Sequence, residues 1–333
     1  MMNEIGVIGA GAWGTALSLL LADKGYKVAL WMYEQDLAEE TAITRRNRVY
    51  LPGFALPLSI KITSSLQHAV ESKSVILSVM PSHTVRTVVQ QFQPYLSEDA
   101  ILISASKGIE LDTLLPLSEV YKEVLPEVFH DRLCFLSGPS FAKEVAQKMP
   151  TAITLAAFDP DVGKTAQEIL STLYFRVYTN SDVLGVELAG ALKNVVAIAA
   201  GVLQGIGYGH NTMAALITRG IAEMARLGVA QGADIHTFSG LAGIGDVILT
   251  CTGELSRNRA LGVRLGKGEK LDDILQGEKT VAEGVRTAKA ARNLALRYAV
   301  DMPIIEEVYQ LLYEGKDPRE AVRNLMTREL KKE

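Results

Sequence analysis

The sequence predicts an α/β first half, built on a doubly wound parallel sheet, followed by an all-α second half. Three observations predict this. From Glu4 to about Tyr178, short apolar or β-branched runs alternate with longer amphipathic ones, which is the pattern of βαβ units. Most of the short runs are almost continuously apolar, as suits strands covered by helices on both faces, and right-handed crossovers then wind the sheet in both directions. After Asn180 the strand signals stop and only helical patterns follow. The 333 residues correspond to about two domains at roughly 150 residues each, here taken as 1–180 and 181–333, with a cleft expected between them.

In chain order the strands are expected at 4–8, 27–31, 60–63, 74–79, 100–104, 132–137, 151–156 and 174–178. The segment Leu51-Pro-Gly-Phe-Ala-Leu-Pro57, with two prolines and a glycine, fits neither central strand nor helix and reads as a surface loop. The helices of the second half are expected at 182–207, 211–228, 234–240, 256–266, 271–275, 284–299, 304–314 and from 318 onward. Asp182 and Asp317 stand where side-chain oxygens cap first-turn amides.

Composition excludes whole classes. Hydrophobic residues make up 48% and charged residues 22%, which rules out disorder, collagen-like repeats and coiled coil as descriptions of the whole chain. A net charge of −4 argues against a surface tuned for nucleic acid, so an anion must be held by a local site. Cys134 and Cys251 lie far apart without disulfide or zinc spacing, and none of the five histidines has the HxxxH or HExxH arrangement of a metal site. The longest apolar stretches, such as Val195–Leu203, are shorter than the roughly 18 residues of a membrane span. No signal-peptide pattern opens the chain. A reducing cytoplasm is the expected location.

The first strand runs directly into Gly9-Ala-Gly11-Ala12-Trp13-Gly14-Thr15 and an apolar helix that stops at Gly25. This is GxGxxG between a strand and a helix. Gly9 permits the tight turn, Gly11 lets a pyrophosphate approach the backbone, Gly14 lets helix and strand pack closely, and the helix N-terminus faces the diphosphate. The turn therefore predicts a dinucleotide-binding Rossmann half. Glu34, at the end of the second strand, has the position of an acid that binds a ribose 2′-hydroxyl and selects NAD. Arg45, Arg46 and Arg48 follow on the next helix, either to accept a 2′-phosphate or as a solvated basic face, so NAD and NADP both stay open.

Lys193 is the one basic residue of its helix, and its neighbours three and four positions away are Ala189, Gly190, Val196 and Ala197. A lysine on so apolar a face is expected to be desolvated. Burial disfavours the ammonium, which suits a group that gives and takes a proton near neutrality. Asp246 and Thr250, four apart, have the spacing to share one helix face and orient that amine. Lys107, in Ser104-Ala-Ser-Lys107-Gly108, follows the fifth strand at the edge where open α/β sheets bind ligands, and Gly138-Pro-Ser140-Phe-Ala142 follows the sixth in the same way. Ser256 reads as an N-cap that puts Arg257 and Asn258 in a first helical turn. Basic residues there are unfavourable unless an anion is present, so a phosphate is expected, with Arg257 as its bidentate partner. Cys251 reads as a small buried hydrophobe rather than a nucleophile.

Taken together, Gly9–Thr15, Lys107–Glu110, Ser137–Ala142, Leu192–Asn194, Ala242–Cys251, Ser256–Arg259 and Val281–Gly284 resemble the bacterial NAD(P)-dependent glycerol-3-phosphate dehydrogenases over nearly the whole chain. The resemblance implies a Rossmann half joined to a helical half like that of 6-phosphogluconate dehydrogenase, commonly in a homodimer. It implies hydride transfer between NAD(P)H and dihydroxyacetone phosphate to give sn-glycerol 3-phosphate for phospholipid synthesis. It further implies Lys193 as the catalytic proton donor and acceptor, with Lys107, Gly138, Ser140, Asp246, Ser256, Arg257 and Asn258 around the substrate. Gly9, Gly11, Ala12, Trp13, Gly14, Tyr33, Lys107, Ala142, Arg257, Val281 and Glu283 would meet the cofactor. Many relatives carry a basic residue where this chain has Tyr33, so an NADPH preference does not transfer. Two other classes share some of these features: a dehydrogenase for carboxylate-bearing hydroxy acids, and a dinucleotide sensor without turnover.

Overall fold

A computed structural model describes residues 4–276, 282–330 and 332 and divides the chain into two compact units. The first comprises residues 1–107 and 115–187, and the second residues 108–114 and 188–333. The division thus falls at 187/188, inside a helix, where a boundary near 180 was expected, and a short excursion after Lys107 joins the helical unit.

In the first unit eight strands form one sheet in the order β3-β2-β1-β4-β5-β6-β7-β8. They are β1 (Glu4–Ile8), β2 (Lys27–Trp31), β3 (Ile60–Thr63), β4 (Val75–Ser78), β5 (Ile101–Ser104), β6 (Leu133–Ser137), β7 (Thr151–Ala157) and β8 (Phe175–Asn180). The reversal of strand order beside β1 is the topological switch at which such sheets bind ligands. One expectation is corrected: the sheet is not wholly parallel, because β7 runs antiparallel to β6 and β8 follows β7. The only helix between β6 and β7 is the short Ala142–Ala146. The chain there turns back beside β6 instead of making the long crossover that a parallel neighbour requires.

The helices of this unit are α1 (Ala12–Asp23), α2 (Gln35–Thr44), α3 (Leu66–Val70), α4 (Val85–Phe92), α5 (Leu117–Val124), α6 (Ala142–Ala146) and α7 (Pro160–Leu170). Leu17, Leu20 and Leu21 of α1 lie in one buried cluster with Ile5, Val7, Leu77, Ile103 and Leu136 of the central strands. At about 1.5–3 kcal/mol for each buried aliphatic side chain, this packing holds α1 and the turn before it against the sheet. Leu51 and Leu56 anchor the proline-bearing loop, each almost fully buried.

α8 (Val183–Ile206) begins in the first unit and continues in the second. Asp182 caps it by accepting the Gly185 N–H at 2.9 Å. Among the described residues α8 is the one helix long and apolar enough to cross a bilayer, which corrects the expectation that no segment reaches that length. It is nevertheless a core helix: Leu188, Ala189, Ala191, Leu192, Val195 and Val196 are almost completely buried.

The second unit adds α9 (His210–Ala230), α10 (Asp246–Thr252), α11 (Arg257–Gly266), α12 (Leu271–Gln276), α13 (Glu283–Arg297), α14 (Pro303–Tyr313) and α15 (Pro318–Met326). The sequence reading did not mark α10 as a helix, since glycines at 240, 243 and 245 precede it; a five-residue π-helical turn, Leu241–Gly245, carries the chain into it. α8 and α11 pack backbone to backbone, because a Cβ on Gly201 would stand 2.0 Å from Arg259 O and one on Gly262 2.1 Å from Ile198 O. Asp317 caps α15 through the amides of Arg319 and Glu320.

Candidate active site: a backbone cradle and a buried amine

The glycine-rich turn of the first unit separates structural from functional glycine. Gly9 has φ +110°, and a Cβ there would lie 2.4 Å from Val79 O. A Cβ on Gly14 would lie 1.9 Å from Gly9 O. Both positions are closed to larger residues by the protein itself. Gly11 differs: its φ of −63° suits any residue and a Cβ would meet nothing within 4 Å. Packing therefore gives no reason for glycine at 11, whereas a bound diphosphate does. Gly11 is also the N-cap of α1 and has no side chain to occupy the first-turn amides, so they stand available for an anion. The residues present fit a dinucleotide.

A buried amide that the sequence reading missed holds this turn. Asn47 donates to Ala10 O at 2.8 Å and Thr15 Oγ1 at 2.9 Å, and its own oxygen accepts the Tyr50 N–H at 3.1 Å. Nothing in the local pattern distinguishes Asn47, which stands between Arg46 and Arg48, from a solvated loop residue. Tyr50 in turn donates to Glu34 Oε1 at 2.7 Å. The three arginines lie beyond the end of α2 rather than on it. Arg45 is spent on the carbonyls of Leu56, Pro57 and Ile60, and Arg48 pairs with Glu40 at 3.7 Å.

The other expected residues of this unit fall at strand ends. Trp13 is partly buried with its ring 6.4 Å from that of Phe175, and Tyr33 is 80% exposed with its ring edge-on to Trp31. Lys107, just beyond β5, donates to Gly138 O at 3.3 Å, and Ser140 Oγ donates to the same carbonyl at 3.1 Å. Gly138 has φ +142°, and Ala142 opens α6. The loops after β5 and β6 are thus tied together at one sheet edge.

In the second unit Lys193 is 8% exposed, so the expected burial is present. Asp246 and Thr250, whose spacing allowed them to orient this amine, both meet it. The Lys193 amine donates to Asp246 Oδ1 at 2.6 Å and to Thr250 Oγ1 at 2.8 Å, and Thr250 donates to Asp246 Oδ1 at 3.1 Å. Asp246 and Thr250 stand one turn apart on α10, so a single helix face presents both oxygens to the amine. Burial favours the neutral amine and the carboxylate favours the ammonium, and the two effects oppose each other at one nitrogen. Beside it, Cys251 is buried and its thiol is pushed up to about 12, chiefly by desolvation, so it stays protonated near neutrality.

Ser256 caps α11 by accepting the Arg259 N–H at 3.2 Å. Arg257 is exposed at the first helical position and makes no ion pair among the described residues. Asn258 has an additional role: its Nδ2 donates to Asn194 Oδ1 and its Oδ1 accepts the Gly284 N–H, both at 2.9 Å, which joins α11 to α8 and α13. Glu283 opens α13. Val281 lies outside the described residues.

Comparison with known proteins identifies the family. The N-terminal domain profile of the NAD-dependent glycerol-3-phosphate dehydrogenases matches residues 4–162 and the C-terminal profile residues 182–323. A glycerol-3-phosphate dehydrogenase [NAD(P)+] of Syntrophotalea carbinolica is 55% identical, with 99% of each chain covered. The crystal structure of the Coxiella burnetii glycerol-3-phosphate dehydrogenase superposes with a TM-score of 0.93 at 39% identity, covering 98% of this chain and 99% of that one. D-mandelate dehydrogenase, at 11% identity and a TM-score of 0.65 over 96% of this chain and 99% of its own, shares the fold alone. The chain belongs to the NAD-dependent glycerol-3-phosphate dehydrogenase family.

Proposed function

We propose that Lys193 gives and takes the proton in the reaction of this family, the reversible reduction of dihydroxyacetone phosphate to sn-glycerol 3-phosphate. The chain is an NAD(P)-dependent oxidoreductase that supplies glycerophospholipid synthesis. The observation that carries the residue assignment is the buried amine held at 2.6 Å from Asp246 and 2.8 Å from Thr250.

When bound, the dinucleotide supplies the hydride. Its diphosphate is assigned to the amides of Gly11, Ala12 and Trp13, and Tyr33, Lys107, Ala142, Arg257, Val281 and Glu283 are further cofactor contacts. As negative charge develops on the ketone oxygen, the Lys193 ammonium protonates it, a contribution of roughly 10²–10⁴-fold. Asp246 stabilises the ammonium before transfer, and burial favours the neutral amine afterwards. In the oxidative direction the same amine takes the proton of the C2 hydroxyl. Lys107 adds positive charge beside the substrate, and Gly138 and Ser140 fix its position.

Arg257 binds the phosphate bidentately at the N-terminus of α11, a position unfavourable for a cation unless an anion is bound there. The second Nδ2 hydrogen of Asn258 is a further donor to it. Ser256 holds the turn. Binding energy from this non-reacting group is expected to appear in the rate as well as in KM. The same proposal places the protein in the cytoplasm, where buried Cys134 and Cys251 stay reduced, and makes it a homodimer, the assembly the resemblance implies.

The test follows nicotinamide absorbance with dihydroxyacetone phosphate and with a 2-oxo acid of similar size. Oxidation is expected with the phosphate ester alone. Arg257→Ala is expected to lower kcat/KM for that ester by at least about 100-fold, the loss of a charge-assisted bidentate contact. Equal activity with the 2-oxo acid, or unchanged kinetics in the variant, contradicts the phosphate assignment.

A further inference from the structure

We propose that Glu34, fixed by the Tyr50 hydroxyl, makes this chain select NADH over NADPH. The inference rests on the reading that the dinucleotide binds at the Gly9–Gly14 turn, and it assigns the part of that site which tells the two cofactors apart.

β2 is the neighbour of β1, with Ile8 opposite Trp31, and the Gly9 N–H donates to Trp31 O at 3.2 Å. The end of β2 therefore lies beside the turn, and Glu34 follows three residues later at the N-cap of α2. A continuous run of hydrogen bonds fixes its carboxylate relative to the turn. Asn47 bonds Ala10 O and Thr15 Oγ1, the Tyr50 N–H bonds Asn47 Oδ1, and the Tyr50 hydroxyl bonds Glu34 Oε1. Burial and the nearby carboxylate push the Tyr50 hydroxyl up to about 12, so it remains a donor at neutral pH.

A carboxylate at this place accepts a hydrogen bond from a ribose 2′-hydroxyl and repels a 2′-phosphate. Asp36 in the first turn of α2 adds negative charge nearby. The cations that could reverse the preference are mostly engaged elsewhere: Arg45 is turned onto three backbone carbonyls and Arg48 pairs with Glu40. Arg46 is exposed and makes no ion pair among the described residues, which leaves it as the competing candidate.

The test is equilibrium titration of the intact protein with NADH and NADPH, read by nicotinamide fluorescence, with thermal melting of each variant as a check on folding. The wild-type protein is expected to bind NADH at least about tenfold more tightly. Glu34→Gln, which keeps the shape and removes the charge, is expected to raise NADPH affinity and bring the ratio close to one. Tyr50→Phe is expected to lower the same ratio with an unchanged melting temperature, and Arg46→Ala to leave NADPH binding as it was. Equal or tighter binding of NADPH by the wild type, or weaker NADPH binding in Arg46→Ala, overturns the proposal while leaving the glycine-turn site standing. An unchanged ratio in Tyr50→Phe overturns the role given to Tyr50. A wild-type protein that binds neither dinucleotide overturns the glycine-turn reading and the proposal together.

Discussion

The glycine-rich turn of the first unit and the Lys193 cluster of the second are built on opposite plans. The turn presents backbone: two glycines are required by contacts with the protein, and a third, Gly11, leaves open space beside uncapped helical amides. The cluster presents side chains, with an amine, a carboxylate and a hydroxyl buried in mutual hydrogen bonds. A backbone cradle suits a ligand that every turnover must bind and release. A side-chain network suits a proton that must be given and recovered at one atom, because its geometry is set before the substrate arrives.

Removing a member of the buried network is expected to have a large effect. Asp246→Ala removes the carboxylate partner of a buried amine and is expected to cost about 3–5 kcal/mol of stability along with most of the turnover. Chemical denaturation and steady-state rates measure the two losses, and a stable, active variant would show that the pair is incidental.

The glycines of the turn divide the comparison more finely. Gly14→Ala forces a Cβ into Gly9 O and is expected to cost roughly 1–3 kcal/mol, with dinucleotide binding damaged as a consequence. Gly11→Ala is expected to stay within about 1 kcal/mol of wild-type stability, since nothing surrounds the new methyl except the site. Its dinucleotide affinity is nevertheless expected to fall at least about tenfold, equivalent to about 1.4 kcal/mol. If Gly11→Ala binds NADH normally, the open space is not the diphosphate site.

This contrast also explains what the sequence discloses. The central strands are legible because strands buried on both faces read as nearly unbroken apolar runs, whereas the edge strands β3 and β8 mix apolar and polar residues and are placed by their β-branched and aromatic members. The reversed direction of β7 is not legible, since periodicity carries no sign. Gly9, Gly11 and Gly14 are legible because a backbone site is encoded within six consecutive residues. The burial of Lys193 shows in its small apolar neighbours, whereas Asp246 and Thr250, 53 and 57 residues away, meet it only through tertiary packing. The same holds for Asn47, whose partners Ala10 and Thr15 lie 37 and 32 residues earlier. The excursion of residues 108–114 into the helical unit depends on contacts distant in sequence and leaves no local trace.

A pH dependence is expected at a third kind of buried polar group. Glu187 of α8 accepts the Ser118 N–H at 2.9 Å, and burial pushes its carboxyl up to about 8. In the unfolded chain the group ionises near 4.5, so between about pH 4.5 and 8 the folded protein holds a proton that the unfolded one has released. Stability from this group is therefore full at low pH and falls as the pH rises through 8. Glu187→Gln keeps an acceptor for Ser118 and is expected to raise the melting temperature relative to wild type more at pH 8.5 than at pH 5. An equal shift at both values would mean that Glu187 does not titrate in this range.

The central claim is that Lys193 handles the proton and leaves dinucleotide binding to the glycine-rich turn. One preparation of Lys193→Ala tests it, with NADH affinity measured by fluorescence and the single-turnover rate measured with dihydroxyacetone phosphate. The account predicts near wild-type affinity and a rate lower by roughly 10²–10⁴-fold. A variant that binds NADH normally and reduces the ketone at close to the wild-type rate would contradict it.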